Sequence, residues 1–131
     1  MSLSVSLRHS VGGFHLDAAF TAPQGVTALF GRSGSGKTTI VNAVAGLLRP
    51  AAGQVVVDGA VLVDTDGGIF VPPHRRRLGY VFQEGRLFPH LTVRQNLLYG
   101  RWFARAPKGL GEFDRIVSLL GIEALLTRQP V

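Results

Sequence analysis

A chain of 131 residues is long enough for one domain or part of a larger one, and 46% hydrophobic with 17% charged residues excludes a disordered polymer. Fourteen basic residues against eight acidic ones give a formal charge of +6, scattered except for Arg75–Arg76–Arg77, where a solvated basic face is as good a reading as a polyanion site. The absence of cysteine excludes disulfides and thiolate metal sites, and His9, His15, His74 and His90 are too far apart for a metal-ligand spacing.

The N-terminal MSLSVSLRHS lacks the charged and apolar regions of a signal peptide, and no apolar run nears the roughly 18 residues of a membrane span. The chain is therefore expected to be cytosolic or peripheral, with any membrane link made through a partner.

Leu3, Val5 and Leu7 alternate with polar residues as in a half-buried strand; Gly12–Gly13 marks a turn, and Phe14, Leu16 and Ala18 resume the alternation as a hairpin partner. Val26–Phe30 (VTALF) is short and continuously apolar, the pattern of a strand buried on both faces of a parallel sheet. A glycine-rich loop follows, then a helix from about Lys37 to Gly46 with Ile40, Val41, Val44 and Leu47 as its apolar stripe. Gly46 and Pro50 stop it.

Gly53 and Gly59 bracket a strand at Val55–Val57, and Val61–Val63 is a second apolar segment before the Asp64–Gly68 turn. Pro72–Pro73 and the arginine run form a loop, and Leu78–Phe82 (LGYVF) reads as another buried strand. Beyond Gln83 the pattern is helical, with Thr92 as N-cap of a helix over Val93–Tyr99 and a second helix over Phe113–Leu120. There are no repeats or low-complexity tracts. The sequence ends at Pro130–Val131 without a closing strand.

The residues Gly31, Arg32, Ser33, Gly34, Ser35, Gly36, Lys37 and Thr38 match G-x-x-x-x-G-K-[ST] in full. Glycines let the backbone wrap an anion with several N–H groups pointing inward. The helix that begins at Lys37 turns its positive dipole end to the phosphates, Lys37 reaches the β- and γ-phosphates, and the Thr38 hydroxyl coordinates Mg²⁺. The motif is expected between a buried strand and an amphipathic helix, and VTALF and the Lys37 helix supply that context. Gln83 is the second candidate. It ends the LGYVF strand, where an amide could meet the metal or the attacking water, since ligands gather at the carboxyl ends of strands in open α/β sheets.

Three strings, GRSGSGKTT, AVAGLLRPAAGQVVVDG and RRRLGYVFQEGRLFPHLTVRQNLLYG, resemble the first half of an ABC-transporter ATPase. The resemblance implies an α/β P-loop NTPase fold. Residues 1–83 would form a β/P-loop core with an antiparallel β subdomain, and 84–131 the Q-loop and the beginning of the helical subdomain. It makes Gln83 the Q-loop residue coupling nucleotide to the transport channel and a metal ligand, and adds Thr39 to the binding loop. Within the family the LFGRSGSGKTT, VPPHRRRLGYVFQEGRLFPHLTVRQNLLYG and LLGIEALLTRQP strings are similar to the ATP-binding subunits of molybdate importers. That likeness implies ATP and Mg²⁺ as ligands, a homodimer of ATPase subunits, transmembrane permease subunits docked near Gln83–Leu91, a periplasmic binding protein acting indirectly, and a place on the cytoplasmic face of the bacterial inner membrane. Phe14 is closer in sequence to Lys37 than the family's adenine-stacking aromatic usually is, so core packing is the expectation for it.

The same resemblance places the signature stretch, the acidic strand with its catalytic glutamate, and a switch histidine beyond Pro130, and no apolar run of this chain ends in Asp-Glu. Loss of a general base removes about 10²–10⁴-fold, or roughly 3–5 kcal/mol. The chain is therefore expected to be an N-terminal part that binds nucleotide and hydrolyses it negligibly alone. Three other readings remain. An ATPase subunit of another ABC importer (sulfate, sugar or another anion) would share these motifs. A small P-loop kinase or GTPase would need an acceptor lid or an N-K-x-D motif, neither of which is found. A nucleic-acid module resting on the +6 charge is disfavoured because the aromatics sit at core-like positions.

Overall fold

The computed structural model describes residues 1–103 and 111–130, which divide into two compact units, Met1–Tyr80 and the chain from Val81 onward. In the first unit, β1 (Leu3–Val11), β2 (Phe14–Ala22), β3 (Ala52–Val57), β4 (Ala60–Asp64) and β5 (Ile69–Phe70) form an antiparallel sheet in the order β2-β1-β3-β4-β5. The period-2 pattern sets the register: Val5 lies opposite Phe20 on one side and Val55 on the other, so that one sheet face is apolar. That face carries Val5, Leu7, Leu16, Val55, Leu62 and Val63, and the helix α1 (Lys37–Ala45) packs Ile40 and Ala43 into the same cluster.

The β4–β5 connection is held locally. The Asp64 carboxylate accepts N–H bonds from Asp66 and Gly67 at 3.1 Å each, a turn in which an aspartate side chain stands in for a backbone carbonyl. α1 ends as its sequence predicts: Gly46 is left-handed at φ 83°, and the N–H of Leu47 reaches back to the Asn42 carbonyl at 2.8 Å.

The second unit contains α2 (Val93–Leu98) and α3 (Gly111–Leu120), with 3₁₀ turns at Tyr99–Trp102 and Glu123–Leu125. Thr92 caps α2 in a capping box, its hydroxyl accepting from the Gln95 N–H at 3.2 Å while Gln95 Oε1 accepts from the Thr92 N–H at 2.8 Å. The next two N–H groups, of Val93 and Arg94, donate to the carbonyls of Arg128 and Leu126 at 2.8 and 3.0 Å. The end of the chain thus closes the start of α2, whose first-turn donors have no partner within the helix.

Several expectations are corrected. Val26–Phe30 and Leu78–Phe82 do not pair into strands; Val26 is 103% exposed, Phe30 102%, and Val81 is also open to solvent. Both segments run without a neighbouring strand among the described residues, and a continuously apolar run is buried only when strands lie on both its edges and helices on both its faces. In α1, Val41 faces outward and Ala43 takes the buried position, and Leu47, expected in the stripe, lies exposed beyond the helix end, because the contact with the sheet is narrower than the four-residue stripe assumed. Tyr99 starts a 3₁₀ turn and does not extend α2. Arg76 is not solvated: it is 5% exposed.

Candidate nucleotide-binding site

Residues 31–36 connect the extended segment 26–30 to α1, and two glycines set the path of that loop. Gly36 is the N-cap of α1 in the left-handed region at φ 92°, and a Cβ there would stand 2.9 Å from Leu16 Cδ1 and 3.0 Å from Phe14 Cζ. The dihedral disfavours any side chain there, and a Cβ would also have to displace the tips of Leu16 and Phe14. Gly34 is left-handed as well, at φ 79°, which turns the loop back on itself, with the Ser35 N–H on the Arg32 carbonyl at 3.2 Å.

The Lys37 ammonium lies across this loop. It donates to the carbonyls of Gly31 and Arg32 at 2.7 Å each and to Ser35 Oγ at 3.4 Å. α1 begins with no side-chain cap and no acidic residue in its first turn, so neither a capping oxygen nor a carboxylate neutralises its positive end. The Ile40 N–H is the first to bond within the helix, to Gly36 O at 3.0 Å, and the N–H groups before it are available to a ligand.

A cavity of about 330 Å³ opens at this helix end, lined by Phe14, Ser33, Gly34, Gly36, Lys37, Thr38 and Thr39. Its donors are backbone N–H groups, three hydroxyls and one ammonium, and it contains no carboxylate. This donor set fits polyphosphate, and Thr38 and Thr39 are the hydroxyls that could meet a hard divalent cation held by it. Gly31, Arg32 and Ser35 contribute through their contacts with Lys37. A larger hollow of about 560 Å³ on the outer sheet face is lined by Asp17, Asp64 and Asp66 with a single arginine, Arg8, a charge pattern that repels phosphate.

The loop residues expected from the motif therefore come together at one place. Gln83 is exposed in a bend of the second unit and does not end a strand. Phe14 is corrected: it is 38% exposed, lies outside the core cluster and edges the cavity, because the hairpin turn brings the first residue of β2 against Gly36.

Sequence reading missed Arg76. Its Nη1 donates to the carbonyls of Ala43 and Val44 at 2.8 Å each and its Nε to Val71 O at 2.7 Å, so it caps the C-terminal end of α1 from outside the helix. Burial pushes its pKa down from the ordinary guanidinium value. α1 has no basic residue of its own in the last turn, and nothing in an RRR string tells which arginine turns inward.

The model of the ABC transporter family matches residues 17–130. The chain is 61% identical over 130 residues to the molybdenum import ATP-binding protein ModC of Rhizobium etli, and 55% identical over 128 residues to that of Paramagnetospirillum magneticum. These matches cover 99% and 98% of the chain but 37% and 35% of the relatives, so the chain spans about a third of their length. Among solved structures, a dimeric ATP-binding cassette in a post-hydrolysis state bound to ADP and phosphate superposes with a TM-score of 0.65 at 26% identity, over 99% of this chain and 62% of that one. The family match spans most of the sequence and the superposition covers nearly all of it, and the chain belongs to the ABC transporter family.

Proposed function

We propose that this chain is the nucleotide-holding part of the ATP-binding subunit of an ABC importer, with molybdate as the cargo of the whole transporter. The observation that carries the reading is the 55–61% identity, along nearly the entire chain, to relatives named as molybdenum import ATP-binding proteins. The cavity at the start of α1 supports it with the chemistry such a subunit needs.

In this reading Gly34, Gly36 and the first N–H groups of α1 receive the phosphate oxygens of ATP. Lys37 exchanges its two backbone carbonyls for the β- and γ-phosphates, a stronger charge-assisted pair. Gly31, Arg32, Ser33 and Ser35 hold the loop in the shape that presents those groups. Thr38, with Thr39 beside it, would hold Mg²⁺, which neutralises phosphate charge when bound. Phe14 offers a ring at the cavity edge on which a nucleobase can stack.

Phosphoryl transfer to water also needs a carboxylate to take the proton of the attacking water, and the cavity lining holds none. Hydrolysis therefore falls to the assembled protein: a homodimer of ATP-binding subunits, bound peripherally to permease subunits at the cytoplasmic face of the membrane, with a periplasmic binding protein delivering the cargo. No helix among the described residues is long and apolar enough to cross a membrane.

The test is uptake. In cells that depend on the full-length gene for growth on trace molybdate, Lys37→Ala should abolish ATP-driven molybdate uptake while the subunit is still produced. Undiminished uptake would remove the site. Uptake of sulfate in place of molybdate by the intact transporter would keep the site and replace the cargo.

A further inference from the structure

We infer that Arg76 and Tyr80 form a two-point strut between the phosphate-loop helix α1 and the chain that runs into Gln83. Both are thereby positioning residues for coupling nucleotide to transport. The inference rests on the nucleotide-binding reading above, and it adds two residues that no motif singles out.

The first point is the Arg76 guanidinium. It is almost wholly buried, yet no carboxylate among the described residues pairs with it; its hydrogen bonds go to three carbonyls, two of them at the C-terminal end of α1. That end carries the negative pole of the helix dipole, which is the compensation the buried cation receives. The guanidinium also lies 4.9 Å from the centre of the Phe70 ring, and its Nη2 is buried without a hydrogen-bond partner. A Cβ on Gly46 would stand 2.6 Å from Nε, so α1 must stop in glycine to admit the side chain.

The second point is four residues further on. The Tyr80 hydroxyl donates to Asn42 Oδ1 at 2.8 Å, gripping α1 one turn before its end. Between the two points Arg77 is left-handed at φ 53°, a conformation unfavourable for a residue with a Cβ that persists only where the surroundings enforce it. Two grips, one on backbone carbonyls and one on a side chain, fix both the height and the rotation of residues 76–80 against α1.

The consequence is mechanical. A nine-residue helix is a rigid rod of about 13 Å. Its first turn carries Lys37 and Thr38 and its last turn carries the strut. Tyr80 is the last residue of the first unit, three residues before Gln83 in the chain. A displacement of α1 by phosphate must move residues 76–80 with it or break these bonds, so the point from which the chain departs toward Gln83 follows the nucleotide.

The experiment uses the complete transporter in membrane vesicles, measuring ATP affinity, melting temperature and molybdate taken up per ATP hydrolysed. Tyr80→Phe removes one hydroxyl and keeps the ring. It should leave ATP affinity unchanged and lower uptake per ATP by about three- to tenfold, the equivalent of one hydrogen bond. Asn42→Ala should do the same, and the double variant should be no worse than either, since both break one contact. Arg76→Lys keeps the charge without the planar fork and should lower the ratio further. Uptake per ATP unchanged in Tyr80→Phe and Asn42→Ala would overturn the strut. So would losses in ATP affinity or folded fraction large enough to account for the lost uptake, because that is what a merely structural contact would do. Failure of the nucleotide-binding reading itself would show differently, as undiminished uptake in Lys37→Ala.

Discussion

β3 and the segment 26–30 are similar in sequence and opposite in structure. VVV in β3 and VTALF at 26–30 are both short, continuously apolar and rich in strand-forming residues. β3 has β1 on one edge and β4 on the other, and its Val55 is completely buried. Segment 26–30 has no strand beside it among the described residues. Thr27 and Leu29 line a small apolar groove with Leu3, Phe20, Ala22 and α1, while Val26 and Phe30 project into solvent. The alternation of a strand is present there, but Leu29 on the groove side is still 41% exposed. Burial is a property that neighbours confer, and composition alone cannot report it.

The sharpest way to break the comparison is to place the same charge in both segments. Val55→Asp would leave an unpaired carboxylate in a closed core and should cost at least about 3 kcal/mol, enough to unfold the sheet, as circular dichroism and chemical denaturation would show. A stable Val55→Asp protein would mean that the core is not where β1, β3 and β4 place it. A smaller effect separates local from distant support. Thr92→Ala removes the capping-box hydroxyl of α2 and should destabilise the second unit by about 1 kcal/mol, read as a lowered denaturation midpoint with the sheet unaffected. The smallest belongs to the exposed run. Phe30→Asp should change the stability of this chain by less than about 0.5 kcal/mol, and a loss like that of Val55→Asp would erase the distinction drawn here.

The same distinction explains which features were legible in the sequence. The hairpin around Gly12–Gly13, the Gly46 stop of α1 and the Thr92 cap were read correctly, because each depends on residues a few positions apart. The grouping of Gly34, Gly36, Lys37 and Thr38 around one cavity was legible for the same reason, since they lie within a few positions of one another. Features that need a distant partner were not. The expected burial of 26–30 and 78–82 fails because it depends on strands elsewhere. Arg76 looked like surface because its three carbonyl partners belong to α1 and Val71, and Phe14 looked like core because its contact with Gly36 crosses from the hairpin to the loop. Tyr80 and Asn42 meet across 38 positions without any spacing that announces them.

Everything proposed for this chain depends on whether the loop from Gly31 to Thr38 takes nucleotide phosphates. Calorimetric titration of the purified chain with Mg·ATP, beside its Lys37→Ala variant, tests that most directly. Saturable binding that weakens by about tenfold or more in the variant, equivalent to one charge-assisted hydrogen bond, is the expected result. Equal affinity in the two proteins, or no binding by either, would contradict it.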